Sequence, residues 1–168
     1  HGVEALEGVC GHCGADEVME LILWRHAEAE DGSPDAQRKL TPKGEKQAEK
    51  VAAWLRERLP DGTRVLSSPA RRARQTARAL TREFEILEDC DVGADPSAVL
   101  SACGWPSAGG VVVVVGHQPT LGQVAALALT GKAYDWNLKK GAVYWLVARE
   151  RGAARQPALR AAISADLV

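Results

Sequence analysis

Residues 111–120, VVVVVGHQPT, pass from five valines to a histidine and then to a proline-threonine pair. A run of consecutive β-branched apolar residues is typical of a strand buried on both faces of a parallel sheet. The proline and threonine that follow favour the start of a helix. This stretch therefore predicts a central strand, a turn that carries His117, and a helix that continues to Leu129 and is stopped by Gly131.

The same order of apolar strand, polar turn and helix occurs twice earlier in the chain. Residues 21–24, LILW, predict a buried strand, and the Thr-Pro pair at 41–42 predicts a helix with a capping residue and a proline in its first turn. Residues 64–67, RVLS, predict a second strand, and the Ser-Pro pair at 68–69 predicts a second helix start of the same kind.

The rest of the chain completes the pattern. Short strands are predicted at 84–87, 143–147 and 159–163, and a short helix at 96–103. The last two strands are adjacent in sequence, so we expect them to pair as an antiparallel hairpin. Because strands and helices alternate before that point, the fold class is α/β, a three-layer sandwich with a mostly parallel central sheet and helices on both faces.

Length and composition are those of one globular domain with a hydrophobic core. The chain has 168 residues, of which 46% are apolar and 26% charged, and its formal net charge is -1. This balance argues against disorder as the main state and against a broad attraction to nucleic acid or membranes. No apolar run reaches the roughly 18 residues of a membrane helix, and no secretory signal is visible. We expect a cytoplasmic protein and a monomer.

Residues 1–18 differ from the rest, because they are rich in glycine and acidic residues and show no strand or helix period. We expect an N-terminal arm there, non-native or poorly ordered, followed by one domain over residues 19–168. The arm contains three potential zinc ligands, although a structural zinc site requires four, and no metal site is expected. These ligands are Cys10, His12 and Cys13.

Basic side chains stand where the predicted strands end. Arg25 and His26 follow the first strand, and His117 follows the strand of valines. The arginine pair at 71–72 opens the helix after the second strand. Because ligands of parallel sheets bind beyond the carboxyl ends of the strands, we expect these side chains on one rim. Arginines at a helix N-terminus bind phosphate, and neutral imidazole is a nucleophile toward phosphorus, so a phosphate site is predicted.

Four segments resemble, in order, the motifs of the histidine phosphatase superfamily, whose fold is phosphoglycerate mutase-like. They are residues 23–27 (LWRHA), 40–44 (LTPKG), 67–76 (SSPARRARQT) and 115–119 (VGHQP). Each motif alone is modest, but four in the same order are specific. The total length resembles that of the short SixA-type phosphohistidine phosphatases.

This resemblance implies a hydrolase reaction and a role for each residue. His26 would attack phosphorus and become phosphohistidine, which water would then hydrolyse. Arg25 and Arg72 would clamp the phosphoryl oxygens, and His117 would join the same phosphate-binding pocket. Arg71 lies outside the motif. No metal or organic cofactor is implied, and the expected partner is a phosphorylated protein or a small phosphate ester.

Two features depart from the family pattern. Ala27 replaces a glycine of the larger members. Larger members also use a carboxylic acid to protonate an alkoxide leaving group, and three residues are candidates for it here: Glu28, Glu88 and Asp89. The absence of such an acid would suit phosphohistidine, because an imidazole leaving group needs less protonation. The lack of a long insertion over the pocket favours a protein substrate.

Other functions remain open at this point. A general small-molecule phosphomonoesterase or a phosphomutase would use the same fold. A zinc-binding or phosphate-binding module, or a catalytically inactive relative that binds phosphorylated partners, would not be an enzyme. Nucleic-acid binding would use the arginines of one helix and would depend steeply on salt. Those arginines are Arg71, Arg72, Arg74 and Arg78.

Overall fold

The structure, a computed structural model, describes residues 18–168. The predicted arm, with Cys10, His12 and Cys13, lies outside these residues except for Val18, at which the first strand begins. The strands are β1 (Val18–Arg25), β2 (Arg64–Ser67), β3 (Glu85–Ile86), β4 (Gly110–Gly116), β5 (Val143–Arg151) and β6 (Ala154–Ile163). The α-helices are α1 (Pro42–Arg56), α2 (Arg71–Leu80), α3 (Pro96–Cys103) and α4 (Thr120–Thr130).

The six strands form one sheet in the order β3-β2-β4-β1-β5-β6. The pairs β3-β2, β2-β4 and β4-β1 are parallel, as expected for strands joined through helices. The pairs β1-β5 and β5-β6 are antiparallel, which confirms the predicted hairpin at the end of the chain. The sheet is therefore mostly parallel, as predicted.

Helices cover both faces of the sheet, which confirms the three layers. Along β1, Leu21 and Leu23 belong to a cluster that also contains residues of α3 and α4. Ile22 and Trp24 belong to a second cluster with residues of α1 and α2. Successive side chains of a strand point to opposite faces, so β1 contributes to both cores. All four are fully buried, and each contributes about 1.5–3 kcal/mol of hydrophobic free energy.

Capping residues explain where the helices begin and end. Thr41 caps α1, and its hydroxyl accepts a hydrogen bond from the N–H of Gly44 at 2.9 Å. Gly131 ends α4 in the left-handed conformation, with φ 81°, as predicted. The predicted start of α2 at residues 68–69 is wrong, because the helix begins at Arg71. The hydroxyl of Ser68 is engaged elsewhere, with the histidine that follows β4.

The first turn of α1 packs closely against the segment that follows β1. The backbone N–H of Thr41 donates to the carbonyl oxygen of Glu28 at 3.0 Å. A Cβ atom on Gly44 would lie 1.9 Å from that same oxygen, so only glycine fits there. This contact fixes the chain two residues after His26. Within residues 18–168, no helix is long and apolar enough to cross a membrane.

Candidate active site

The predicted site residues meet at the carboxyl ends of three neighbouring strands. In the sheet, β4 lies between β1 and β2, and Val115 is paired with both Trp24 and Ser67. The residues that follow these strands therefore emerge side by side. They surround a cavity of about 290 Å³. Its lining consists of Arg25, His26, Ala29, Asp31, Asp35, Arg38, Arg72, Val92, His117, Gln118 and Lys140.

His26 is held with one ring nitrogen toward the backbone and the other toward the site. Its side chain is buried, and its backbone N–H donates to the carbonyl oxygen of Gly116 at 3.0 Å. Nδ1 lies 2.8 Å from the carbonyl oxygen of Ala27. A carbonyl oxygen only accepts, so the proton of the neutral ring belongs on Nδ1. Nε2 then keeps its lone pair, the electrons that a nucleophile needs.

Arg72 connects the two histidines of the site. It is the second residue of α2 and is only 3% exposed. Its Nε lies 3.3 Å from Nε2 of His26, and its Nη2 lies 3.5 Å from Nδ1 of His117. The adjacent Arg71 is exposed and lies outside the lining of the cavity. The structure therefore brings into the site the arginine that matches the family motif.

His117 is fixed by Ser68, a residue that follows β2. Nε2 of His117 lies 2.7 Å from the hydroxyl oxygen of Ser68, which also accepts a hydrogen bond from the N–H of Ala70. Both side chains are buried. Because the Arg72 guanidinium only donates, its contact with Nδ1 favours the tautomer whose proton is on Nε2, toward Ser68. The ring of His117 stands 5.1 Å from that of His26.

Burial keeps both imidazoles neutral. It lowers the pKa of His26 to about 3. The hydrogen bond to Ala27 raises this pKa, whereas repulsion from His117, Arg72 and Arg25 lowers it further. Burial likewise lowers the pKa of His117 to about 4, with repulsion from Arg72 adding to it. Near pH 7 the ring of His26 is therefore neutral, and the lone pair of its Nε2 is unprotonated. The positive charge of the site comes from its arginines and Lys140.

Arg25 adds a cation with an unused donor. Its Nη1 donates to the carbonyl oxygen of Leu138 at 2.9 Å, whereas its buried Nε has no hydrogen-bond partner among the described residues. Burial lowers the pKa of this guanidinium, although an arginine side chain stays charged. An unpaired buried donor costs about 1–3 kcal/mol, and an anion bound beside it would remove that cost.

A second set of contacts holds the site residues in place. The hydroxyl of Thr76 accepts from the N–H of Ala27 at 3.1 Å and donates to the carbonyl oxygen of Arg72 at 2.8 Å. Thr76 thus ties α2 to the residue after His26. The N–H of Gly141 lies 3.1 Å from the carbonyl oxygens of both Arg25 and His26. These contacts account for the threonine at the end of the segment 67–76.

None of the three carboxylates suggested as an acid lines this cavity, within the part of the chain that the structure describes. An oxygen of Glu28 accepts from the hydroxyl of Thr41 at 2.9 Å. Glu88 and Asp89 are exposed in the 3-10 turn Glu88–Cys90. Sequence reasoning instead missed Asp35, which does line the cavity.

Asp35 is bound by two arginines, Arg72 in the site and Arg38 at its edge. Its carboxylate lies 3.0 Å from Nη2 of Arg72 and 2.9 Å from Nη2 of Arg38. Hydrogen bonds from Arg38 and Arg72 hold its pKa below the usual range, so the carboxylate stays ionised. The three-residue spacing of Asp35 and Arg38 is the one signal in the sequence that points to this pair.

The described residues offer no alternative metal centre. No group of three or more His, Cys, Asp or Glu side chains between residues 18 and 168 could hold a metal ion. Cys90 and Cys103 are buried free thiols, and burial raises their pKa to about 12 and about 11. Neither thiol lines the cavity at His26.

The chain is similar to known proteins along most of its length. A protein of Picosynechococcus with no assigned activity is 34% identical over 155 residues, which cover 82% of this chain and 88% of the relative. The structure of the protein histidine phosphatase SixA complexed with tungstate matches with a TM-score of 0.76 and 23% identity. That match covers 89% of this chain and 99% of the SixA chain.

Two further comparisons identify the family. A protein of Agrobacterium tumefaciens assigned as a phosphohistidine phosphatase SixA is 26% identical, with a TM-score of 0.67, over 86% of this chain and 97% of that one. The family model described as histidine phosphatase superfamily (branch 1) matches residues 21–96, which include Arg25, His26 and Arg72. Because it matches this family model and shares its fold with SixA proteins, the chain belongs to the histidine phosphatase superfamily and to its SixA-type branch.

Proposed function

We propose that this protein is a phosphatase that transfers a phosphoryl group first to Nε2 of His26 and then to water. The observation that carries this proposal is the orientation of the His26 ring. Its Nδ1 is bonded to the carbonyl oxygen of Ala27, and its Nε2 lies beside Arg72 in the cavity of about 290 Å³. Membership of the histidine phosphatase superfamily agrees with this orientation.

In the first step, the lone pair of Nε2 forms a bond to phosphorus while the bond from phosphorus to the leaving group breaks. Charge on the three remaining phosphoryl oxygens is met by the guanidinium donors of Arg25 and Arg72. His117 is neutral before the substrate arrives. A phosphoryl dianion nearby raises the pKa of His117 and favours its protonated form, which adds a donor.

In the second step, water attacks phosphorus and the bond to Nε2 breaks. The products are orthophosphate and neutral His26, which is ready for another cycle. The hydrogen bond from Nδ1 to Ala27 holds the ring in one tautomer through both steps. Over the two steps, the elements of water supply the proton taken up by the leaving group and the hydroxyl group of orthophosphate.

The substrate we favour is a protein that carries phosphohistidine. The arginines hold Asp35 ionised, so its carboxylate has no proton for an alkoxide leaving group. An imidazole leaving group needs less protonation than an alkoxide. The fold shared with the protein histidine phosphatase SixA supports the same choice.

A second candidate is a general phosphomonoesterase that acts on small esters. Asp31 favours it, because this exposed residue lines the same cavity as His26 and a carboxyl group is the kind of side chain that serves as a general acid. A positioned acid of this kind contributes a factor of about 10²–10⁴ to the rate.

The test is phosphate release from a phosphohistidine-bearing protein and from p-nitrophenyl phosphate, by the wild type and by His26→Ala. We expect the variant to keep its circular dichroism spectrum and to lose release from both substrates. Acid-labile, alkali-stable phosphate should be trapped on the wild type only. A folded wild type that releases phosphate from neither substrate would overturn the proposal, and the ratio of the two rates distinguishes the two substrate classes.

A further inference from the structure

A second, larger cavity adjoins the one at His26. Its volume is about 460 Å³, and it shares Arg25 and Lys140 with the first cavity. It lies between the first turn of α1 and the segment that leads into β5. Lys139 and Lys140 belong to that segment and immediately precede Gly141, whose N–H contacts the carbonyl oxygen of His26. The wall of the second cavity is thus anchored to the backbone of the proposed nucleophile.

Positive charge exceeds negative charge in this second cavity. Arg25, Lys43, Lys139 and Lys140 line it, against the two acidic residues Glu28 and Asp166. This excess is local, because the whole chain has a formal net charge of -1. A cluster of like charges costs free energy through mutual repulsion, unless solvent or a bound anion reduces that repulsion.

The cationic groups of the second cavity lack ionic partners. Among the described residues, Lys43, Lys139 and Lys140 are exposed and form no ion pair. Lys43 stands in the first turn of α1, where the partial positive charge of the helix end disfavours a cation. Arg25 contributes the buried Nε with no hydrogen-bond partner. Each of these groups would gain from a bound anion.

We propose that the second cavity binds a second anionic group of the substrate, a carboxylate or a phosphate, while the first cavity holds the phosphoryl group to be transferred. The inference rests on the proposed phosphatase function and narrows its substrates to those with two neighbouring anionic groups. Arg25 lies at the junction and would contact both anions. Selection would come from Lys43 and Lys139, which line the second cavity but not the first.

The first experiment measures binding without turnover. Calorimetry compares propane-1,3-bisphosphonate with propylphosphonate on the wild type, on Lys43→Gln/Lys139→Gln, and on the control Lys46→Gln/Lys132→Gln. The control removes two exposed lysines that line neither cavity. We expect the wild type and the control to prefer the bisphosphonate about tenfold, since one exposed pair is worth about threefold. Lys43→Gln/Lys139→Gln should lose this preference, and salt should weaken it in the other two proteins.

The second experiment identifies the source of the anion. Matched phosphohistidine peptides with glutamates or glutamines beside the phosphorylated residue form one pair of substrates. 3-Carboxyphenyl phosphate and 3-carbamoylphenyl phosphate form the other. A higher kcat/KM for the charged member that disappears in Lys43→Gln/Lys139→Gln supports the subsite, and the pair that shows it indicates a polypeptide or a small-molecule source.

The outcomes separate this inference from the proposed function. Equal affinity of the wild type for the two phosphonates, together with equal rates within each substrate pair, would overturn the subsite even if phosphate is released. A bisphosphonate preference that depends on Lys43 and Lys139 would support the subsite even if the wild type releases no phosphate, and in that case only the phosphatase function would fail.

Discussion

Arg72 is bound to Asp35 through both of its terminal nitrogens. Nη1 donates to the carbonyl oxygen of Asp35 at 2.8 Å, and Nη2 lies 3.0 Å from its carboxylate. Terminal nitrogens of arginine are also the donors that grip phosphoryl oxygens in pairs. Asp35 therefore competes with the substrate for Arg72 and adds a negative charge to a site that takes an anion.

Substituting Asp35→Asn should tighten the binding of orthophosphate about fivefold, because the charge is removed while the side chain keeps its size. The inhibition constant of orthophosphate against p-nitrophenyl phosphate measures this. Asp31→Asn is the matched control, since it removes the same charge from the same cavity without a contact to Arg72. Weaker binding in Asp35→Asn would show that the carboxylate instead holds Arg72 in its binding geometry.

Adjacent arginines should differ sharply in their effect on catalysis. Arg72→Ala removes a buried donor beside Nε2 of His26 and should lower kcat/KM about 10²–10³-fold. Arg71→Ala changes an exposed side chain outside the cavity and should alter kcat/KM less than twofold. Steady-state kinetics on p-nitrophenyl phosphate compares them. Similar losses in two folded variants would contradict the assignment of Arg72.

Ser68 should matter through His117. Ser68→Ala removes the hydroxyl 2.7 Å from Nε2 of His117, frees the ring to change its tautomer, and should lower kcat about tenfold. Ser67→Ala is the matched control, because that buried hydroxyl donates to a backbone carbonyl and does not contact the histidine. If Ser67→Ala and Ser68→Ala lost the same activity, the effect would be one of packing.

The free energy of unfolding should decrease as the pH falls from 6.5 to 5. The pKa values of His26 and His117 in the folded chain, about 3 and about 4, lie below the ordinary 6.5, so the unfolded chain binds protons first. Each ring accounts for up to about 2 kcal/mol over this interval. Urea unfolding at several pH values measures the slope.

The control for this pH effect is His26→Gln/His117→Gln, which removes both buried rings and should flatten the pH dependence between 6.5 and 5. Asp35 does not contribute to the slope between pH 6.5 and 5. Its pKa is lowered in the folded chain, so its contribution to the free energy of unfolding is lost only below its ordinary pKa of 3.8. An equally steep slope in the double variant would assign the pH dependence to other groups.

Gly44→Ala should destabilise the fold by about 1–3 kcal/mol, because its Cβ would lie 1.9 Å from the carbonyl oxygen of Glu28 and the backbone must shift. Chemical unfolding measures this loss. Glu45→Ala, at the next and exposed position of α1, should change stability by less than about 0.5 kcal/mol. A Gly44→Ala variant as stable as the wild type would mean that the contact between Gly44 and Glu28 can adjust without a loss of stability.

Local signals were enough for much of the fold. The bounds of β2 and α3 agree with the prediction, and α3 is delimited by a capping Asp95 and by Gly104. The pair at 68–69 shows the limit of such signals. Ser68 looks like a helix cap in sequence, but its hydroxyl bonds to His117, which lies 49 residues away. The residues around Ser68 in the sequence give no indication of that contact.

The candidate site was predictable where it depends on strand ends. Arg25 ends β1, and His26 and His117 directly follow β1 and β4, so the parallel pairing of these strands brings them together. Asp35 lies in a 3-10 turn within a long connection, and its position depends on how that connection folds over α2. Charged residues in such connections are common, so the spacing of Asp35 and Arg38 alone does not distinguish Asp35 from the acids first suggested.

The hairpin of β5 and β6 has a practical consequence. β5 runs antiparallel to β1, so it begins near Arg25 and ends at Arg151 beside the start of β1. The turn at residue 152 is therefore about one strand length, roughly 30 Å for the nine residues of β5, from His26. An affinity tag inserted at this turn would immobilise the protein with the cavity at His26 facing free solution. A fluorophore at the same position would report on the protein without approaching that cavity.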